Sequence, residues 1–143
     1  MTEVSFHFNA PDKLAYACRL LRKAVGGGAR VVVTAPDNDL ARLDNLLWTF
    51  SQTDFIAHVR QPAEPRLLEA SPVVLTETPG QDLPHRQVLV NLGAELPTGF
   101  ERFERVIEVV SLDEDDRRDA RVRWKQYTDR GYAIVRHDLN LKG

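Results

Sequence analysis

Apolar and polar side chains alternate at the start of the chain. Val4, Phe6 and Phe8 are separated by the polar residues Ser5 and His7. A period of two is typical of a β-strand, because successive side chains point to opposite faces of a sheet. The pattern therefore predicts a first strand with one buried face.

From Lys13 onward, apolar residues recur at helical spacing. The run Gly26-Gly27-Gly28 ends this pattern, where a helix C-cap is expected. The apolar positions of this helix are Leu14, Ala17, Cys18, Leu21 and Val25. Next, the β-branched run at 31–33 predicts a central parallel strand that is buried on both faces. Asp37 or Asn38 is predicted to cap a second helix. Its apolar stripe consists of Leu40, Leu43, Leu46, Leu47 and Phe50.

Prolines interrupt the segment 51–84 and break any long element there, so that residues 73–75 give its only predicted strand. Two more strands are predicted over 87–92 and 105–110. The last helix has the clearest boundaries. Ser111 and Glu114 have the spacing of a capping box, and the helix is predicted to end near Thr128. Residues 132–139 are predicted to form an extended tail or a short edge strand.

Strands that alternate with helices predict one Rossmann-like α/β domain over residues 1–143, with three α/β/α layers and a mostly parallel central sheet. The 19 basic and 21 acidic residues give a net charge of -2, so the whole chain does not attract a polyanion. DNA contact is therefore expected through another protein or a local patch. The single cysteine, the lack of a signal-like start and the lack of a long apolar run predict a soluble cytoplasmic protein.

Sites for chemistry are few. The glycine run follows a helix and opens a strand, which is the reverse of the order in a phosphate-binding loop. The four histidines lie in different elements without metal-ligand spacing. We therefore predict no catalytic residue, metal or cofactor. A small nucleotide-binding α/β enzyme remains the alternative, and micromolar binding of ATP or NAD would support it.

One stripe of the last helix has the composition of a binding site. Its members, at i, i+4, i+7, i+8 and i+11, are Arg117, Arg121, Trp124, Lys125 and Thr128. Cations around an indole suit an acidic peptide that ends in a large apolar residue. The alternative is a solvated basic face with Trp124 in the core beside Ala120 and Tyr127.

A second candidate surface lies at the end of the second helix and just beyond it. Trp48 and Phe55 are candidate anchors for a protein partner, since exposed aromatic residues dominate many interfaces. The alternative is that both side chains belong to the core beneath a loop.

A series of segments, in order along the chain, carries a resemblance to one known family. They are Val4-Ser5-Phe6-His7-Phe8, Arg30-Val31-Val32-Val33, the stretch from Leu43 to Phe50, Asp54-Phe55-Ile56-Ala57-His58, and the stretch from Ala120 to Tyr127 with Gly131-Tyr132. Together these segments resemble the chi subunit family of bacterial DNA polymerase III. The resemblance implies a non-catalytic adaptor that links the clamp loader to the single-stranded-DNA-binding protein by binding its acidic C-terminal tail.

The resemblance also implies roles for particular residues. The tail-binding arginine, aromatic residue and lysine of the family correspond to Arg121, Trp124 and Lys125, and Val110 corresponds to a residue that lines the pocket. The family usually has tyrosine where Trp124 stands, which removes a hydroxyl but keeps an apolar wall. Trp48 and Phe55 correspond to the surface that receives the psi subunit, or an alternative partner such as a helicase-like protein.

Overall fold

The computed structural model describes residues 2–49 and 56–142, and for residues 141 and 142 the backbone alone. The strands are β1 (Glu3–Ala10), β2 (Val31–Thr34), β3 (His58–Arg60), β4 (Val73–Thr76), β5 (Val88–Asn91), β6 (Arg105–Ser111) and β7 (Ile134–Asp138). The helices are α1 (Lys13–Gly26), α2 (Asp37–Thr49), α3 (Pro65–Ala70) and α4 (Glu114–Asp129). Short 3₁₀ turns cover Phe100–Arg102 and Leu139–Lys142.

The seven strands form one sheet in the order β3-β4-β2-β5-β6-β1-β7. Every pairing in the described part of the chain is parallel. Helices α1 and α2 pack on one face, and α3 and α4 pack on the other. The predicted three-layer α/β/α fold is confirmed, with an all-parallel sheet where a mostly parallel one was expected.

Both faces of the sheet are buried. In β2, Val31 and Val33 belong to the core under α1 and α2, while Val32 belongs to the opposite core. This confirms the prediction for β2. The prediction of one buried face for β1 was wrong, because Ser5 is only 4% exposed between the neighbouring strands β6 and β7. Burial on both faces is the rule in parallel sheets, where crossover helices cover each side.

The proline-rich segment contains two elements that the sequence did not predict. Strand β3 pairs with β4, with Val59 opposite Val74, and helix α3 begins at Pro65. Proline suits the first turn of a helix, because the amide that it lacks has no intrahelical partner there. These prolines therefore begin or border short elements instead of preventing them.

Helix α1 begins at Lys13 as predicted, but the predicted caps of α4 and α2 need correction. Asp113, not Ser111, caps α4, and its carboxylate accepts a hydrogen bond from the Asp116 amide. Ser111 still belongs to β6, and its hydroxyl accepts a bond from the Asp113 amide. The cap lies two residues later than predicted. Ser111 is the last residue of β6, and the chain turns at Leu112 and Asp113 before α4 begins at Glu114. Helix α2 already begins at Asp37, so this residue lies in its first turn.

An ion pair joins the starts of α1 and α4 at the carboxyl edge of the sheet. The Lys13 ammonium lies 3.0 Å from the Asp116 carboxylate, which also accepts the Ser111 amide at 2.8 Å. Burial tends to raise the pKa of Asp116, but the Ser111 amide and the Lys13 charge outweigh it and hold that pKa below its usual value. Asp116 therefore stabilises the fold above pH about 4, and this contribution is lost as the pH falls through the lowered pKa.

We expect Asp116→Asn to lower the free energy of unfolding by about 1 to 2 kcal/mol at neutral pH. The difference in unfolding free energy from wild type should shrink as the pH falls below about 4. The Asp116 carboxylate is then protonated first in the unfolded chain and, at its lowered pKa, in the folded protein. Urea denaturation over this pH range measures it. Asp115→Asn is the matched control, because Asp115 is exposed and, among the residues that the structure describes, pairs only with the surface residue Arg118. A difference that stays constant into strong acid would contradict the assignment.

Candidate functional site

A crevice opens where β1 and β6 end side by side. The chain leaves β1 into α1 on one face of the sheet and leaves β6 into α4 on the other. Ligands of parallel α/β proteins commonly bind at such a point, outside the carboxyl ends of the strands. A cavity of about 170 Å³ lies here, between α4, β1, β6 and β7. We call it the α4–β7 cavity.

The floor of the α4–β7 cavity is apolar. Phe6, Val110 and Ala120 line it and are themselves buried. Trp124 forms a wall, and the centroid of its ring lies 4.9 Å from that of Phe6. The indole therefore packs against the core with one part and borders the cavity with another. Trp124 was expected either in a binding site or in the core, and each of these alternatives describes part of its environment.

Three arginines line the same cavity. Arg117 pairs with Glu114 one turn away, at 3.6 Å. Arg121 and Arg136 also line it, and neither has a carboxylate within ion-pair distance among residues 2–49 and 56–142. The cavity thus combines an apolar floor with two guanidinium groups whose charge no described carboxylate neutralises. Such a site favours a ligand that carries both an apolar group and an anion.

The structure brings together three of the four residues that the sequence suggested for this pocket, namely Val110, Arg121 and Trp124. Lys125 does not belong to the described lining. Its side chain is 77% exposed, and its ammonium lies 3.3 Å from the Asp129 carboxylate. Arg136 was missed, because it enters the cavity from β7 and only the pairing of β7 with β1 brings it there. The local sequence around it contains no indication of this.

A buried polar network fixes α4 over the sheet. The Glu108 carboxylate on β6 accepts bonds from Arg123 at 3.0 Å, from Asn91 at 3.0 and 3.1 Å, and from the Tyr127 hydroxyl at 2.8 Å. Burial raises the pKa of Tyr127, so the hydroxyl keeps its proton and can donate. Burial also raises the pKa of Glu108, while the Arg123 charge opposes it. By anchoring two residues of α4, the network sets which side of the helix faces the cavity.

Comparison with known proteins identifies the family. The sequence profile of the family described as DNA polymerase III chi subunit, HolC, matches residues 1–135. The chain belongs to this family. It is 34% identical to DNA polymerase III subunit chi of Pseudomonas aeruginosa, over 97% of this chain and 98% of that protein. It is 25% identical to the subunit of the same name from Haemophilus influenzae, over 82% of this chain and 81% of that protein.

Membership of the chi family confirms the resemblance found in the sequence and gives the chain a role in DNA replication, as a subunit of DNA polymerase III.

No helix in the described part of the chain is long and apolar enough to cross a membrane. Within residues 2–49 and 56–142, no three His, Cys, Asp or Glu side chains are placed to hold a metal ion. Gly27 caps the end of α1, as the glycine run predicted.

The second candidate surface of this chi-family chain lies at the end of α2. Trp48 is 58% exposed there, so the core alternative is wrong for this residue. Its ring centroid lies 5.1 Å from that of His58. The two ring nitrogens of His58 lie 2.7 Å from the Ile56 carbonyl and 2.7 Å from the Asp44 carboxylate. Phe55, the other predicted anchor, lies outside the described residues, as does Phe50 of the predicted α2 stripe.

Proposed function

We propose that the chain is a non-catalytic cytoplasmic adaptor that links the clamp loader of DNA polymerase III to the single-stranded-DNA-binding protein. The acidic C-terminal tail of that protein is proposed to bind in the α4–β7 cavity, at Arg121, Trp124 and Val110. The observation that carries this proposal is the Arg121 guanidinium, which borders an apolar floor without a carboxylate partner among the described residues. Contact with DNA is proposed to be indirect, through the bound protein.

The chemistry of the cavity matches the end of such a tail. A C-terminal residue carries a carboxylate and an apolar side chain on the same α-carbon, so one residue can meet a guanidinium and fill an apolar floor together. Arginine suits this task, because its planar fork can donate two parallel bonds to one carboxylate. Lys125 is proposed to attract the acidic residues that precede the end. Its exposure predicts a small contribution that salt screens.

The second proposed contact is with the psi subunit, or with an alternative protein partner, at Trp48 and Phe55. The exposure of Trp48 on helix α2 supports it. Trp48 contacts His58 of β3, the strand at one edge of the sheet, whereas the cavity borders β7, the strand at the opposite edge. Six spacings of about 4.8 Å separate these strands, or roughly 29 Å. Two partners could therefore bind at once, as a linking role requires.

The two tryptophans allow a direct test. In a Trp48→Phe variant, Trp124 is the only tryptophan. We expect a synthetic peptide with the C-terminal sequence of the same organism's single-stranded-DNA-binding protein to change the Trp124 emission in a saturable way, because binding covers the indole wall of the cavity. The converse variant, Trp124→Phe, reports on Trp48 and should show no change. A response of Trp48 alone would place the peptide elsewhere and contradict the proposal.

A further inference from the structure

We infer that Arg136 is a second tail-binding residue, which grips the terminal carboxylate of the peptide together with Arg121 and makes the site specific for a free chain end. This inference rests on the proposed function and deepens it, because it names the chemical group that the cavity selects. The two guanidinium groups come from different elements, α4 and β7, and line one cavity.

The guanidinium of Arg136 lies over two aromatic rings. Its guanidinium carbon lies 5.6 Å from the ring centroid of Phe8 and 5.7 Å from that of Trp124. Both distances lie within the range of a cation–π contact. Because the charge lies over ring faces, and no carboxylate of residues 2–49 and 56–142 pairs with it, the rings orient the arginine while no described acid neutralises its charge. Its donors remain available to a ligand that enters beside Trp124.

The pairing of the strands fixes the position of this arginine. Arg136 lies opposite Phe6 in the register of β7 with β1, and Ile134 two residues earlier packs into the same core. Residues two apart on a strand share one face of the sheet, so the side chain of Arg136 is directed to the side where α4 lies. The ring contacts then hold the head group at the mouth of the cavity.

Two converging arginines explain why a chain end would be preferred over an internal acidic residue. An internal aspartate or glutamate carries its carboxylate on its own side chain, so that the same residue cannot also fill the apolar floor. A terminal carboxylate with its apolar side chain satisfies both guanidinium groups and the floor at once. Lysine at position 136 would keep the charge but lose the planar group that contacts the two rings.

The experiment compares two forms of the tail peptide, one with a free C-terminal carboxylate and one with a C-terminal amide. Calorimetry would give the dissociation constants for wild type, Arg136→Ala, Arg136→Lys and Arg121→Ala. Arg130→Ala is the matched control, because Arg130 also lies over an aromatic ring, that of Phe100, but borders a different cavity. Thermal unfolding of each variant verifies that it is folded.

We expect wild type and the Arg130 variant to bind the peptide with a free carboxylate at least about tenfold more tightly than the amidated peptide. Amidation removes a charge-assisted hydrogen bond, and a loss of this size is expected from that. Arg136→Ala should reduce this preference at least severalfold, and Arg136→Lys should restore only part of it. If Arg136→Ala keeps the full preference while Arg121→Ala loses it, the inference about Arg136 is overturned and the proposed function stands. If amidation and both arginine variants leave the affinity unchanged, the proposed function itself is wrong.

Discussion

Replacing Glu108 with leucine is expected to lower the free energy of unfolding by about 3 to 5 kcal/mol. The side chain of Arg123 is only 1% exposed, and Glu108 is the carboxylate that balances its charge. Leucine fills a similar volume but leaves a buried guanidinium without a counter-ion and removes the acceptor of the Tyr127 hydroxyl. Breaking a buried pair on one side is costly, because the remaining charge has lost its hydration and no longer has the attraction of the opposite charge. The bond from Arg123 to the Ala94 carbonyl, at 2.8 Å, remains but carries no compensating charge.

A second replacement tests whether the loss of stability comes from the unpaired Arg123 charge or from the changed packing. Glu108→Leu combined with Arg123→Met removes both charges, and an apolar pair in place of a buried ion pair is often close to neutral in stability. We therefore expect the double variant to recover most of the lost stability. Urea denaturation followed by far-ultraviolet circular dichroism measures all three proteins. A single variant that loses less than about 1 kcal/mol, as exposed pairs do, would show that the network does not anchor α4.

The sequence predicts the elements that have strong local patterns. The helical spacing from Lys13 and the β-branched run at 31–33 correspond to α1 and β2, since each pattern matches the period of its own element. Strand β3 and helix α3 have only three and six residues, which is too short for a period to show. Strand β3 is defined by its pairing with β4, and a pairing partner cannot be read from a local pattern.

The part of the candidate site that lies on helix α4 could be predicted from the sequence. Arg121 and Trp124 are three residues apart, so helical geometry alone places them on neighbouring positions of one face. Arg136 is 128 positions from Phe8 in the numbering, yet its guanidinium carbon lies 5.6 Å from that ring centroid. Such a contact depends on the order of the strands in the sheet. Likewise, nothing local distinguishes the buried Arg123 from its exposed basic neighbours.

Arg121→Ala is expected to weaken binding of the acidic tail peptide by about 1.5 to 3 kcal/mol, the contribution of a hydrogen bond to a charged group. This corresponds to a loss in affinity of roughly ten- to a hundredfold. The fold should be unaffected, because Arg121 is exposed and has no ion-pair partner among the described residues whose loss would matter. Added salt should weaken wild-type binding and should matter less for the variant, since the variant has lost one of the attracting charges.

The most direct measurement is a calorimetric titration of wild type, Arg121→Ala and Arg118→Ala with the tail peptide, at low and at high salt. Arg118 is the matched control, since it lies on the same helix, is 66% exposed and pairs with Asp115 outside the α4–β7 cavity. If the cavity binds the tail, Arg118→Ala binds as wild type does, and Arg121→Ala loses at least about tenfold. Equal affinities for all three proteins would contradict the proposed site.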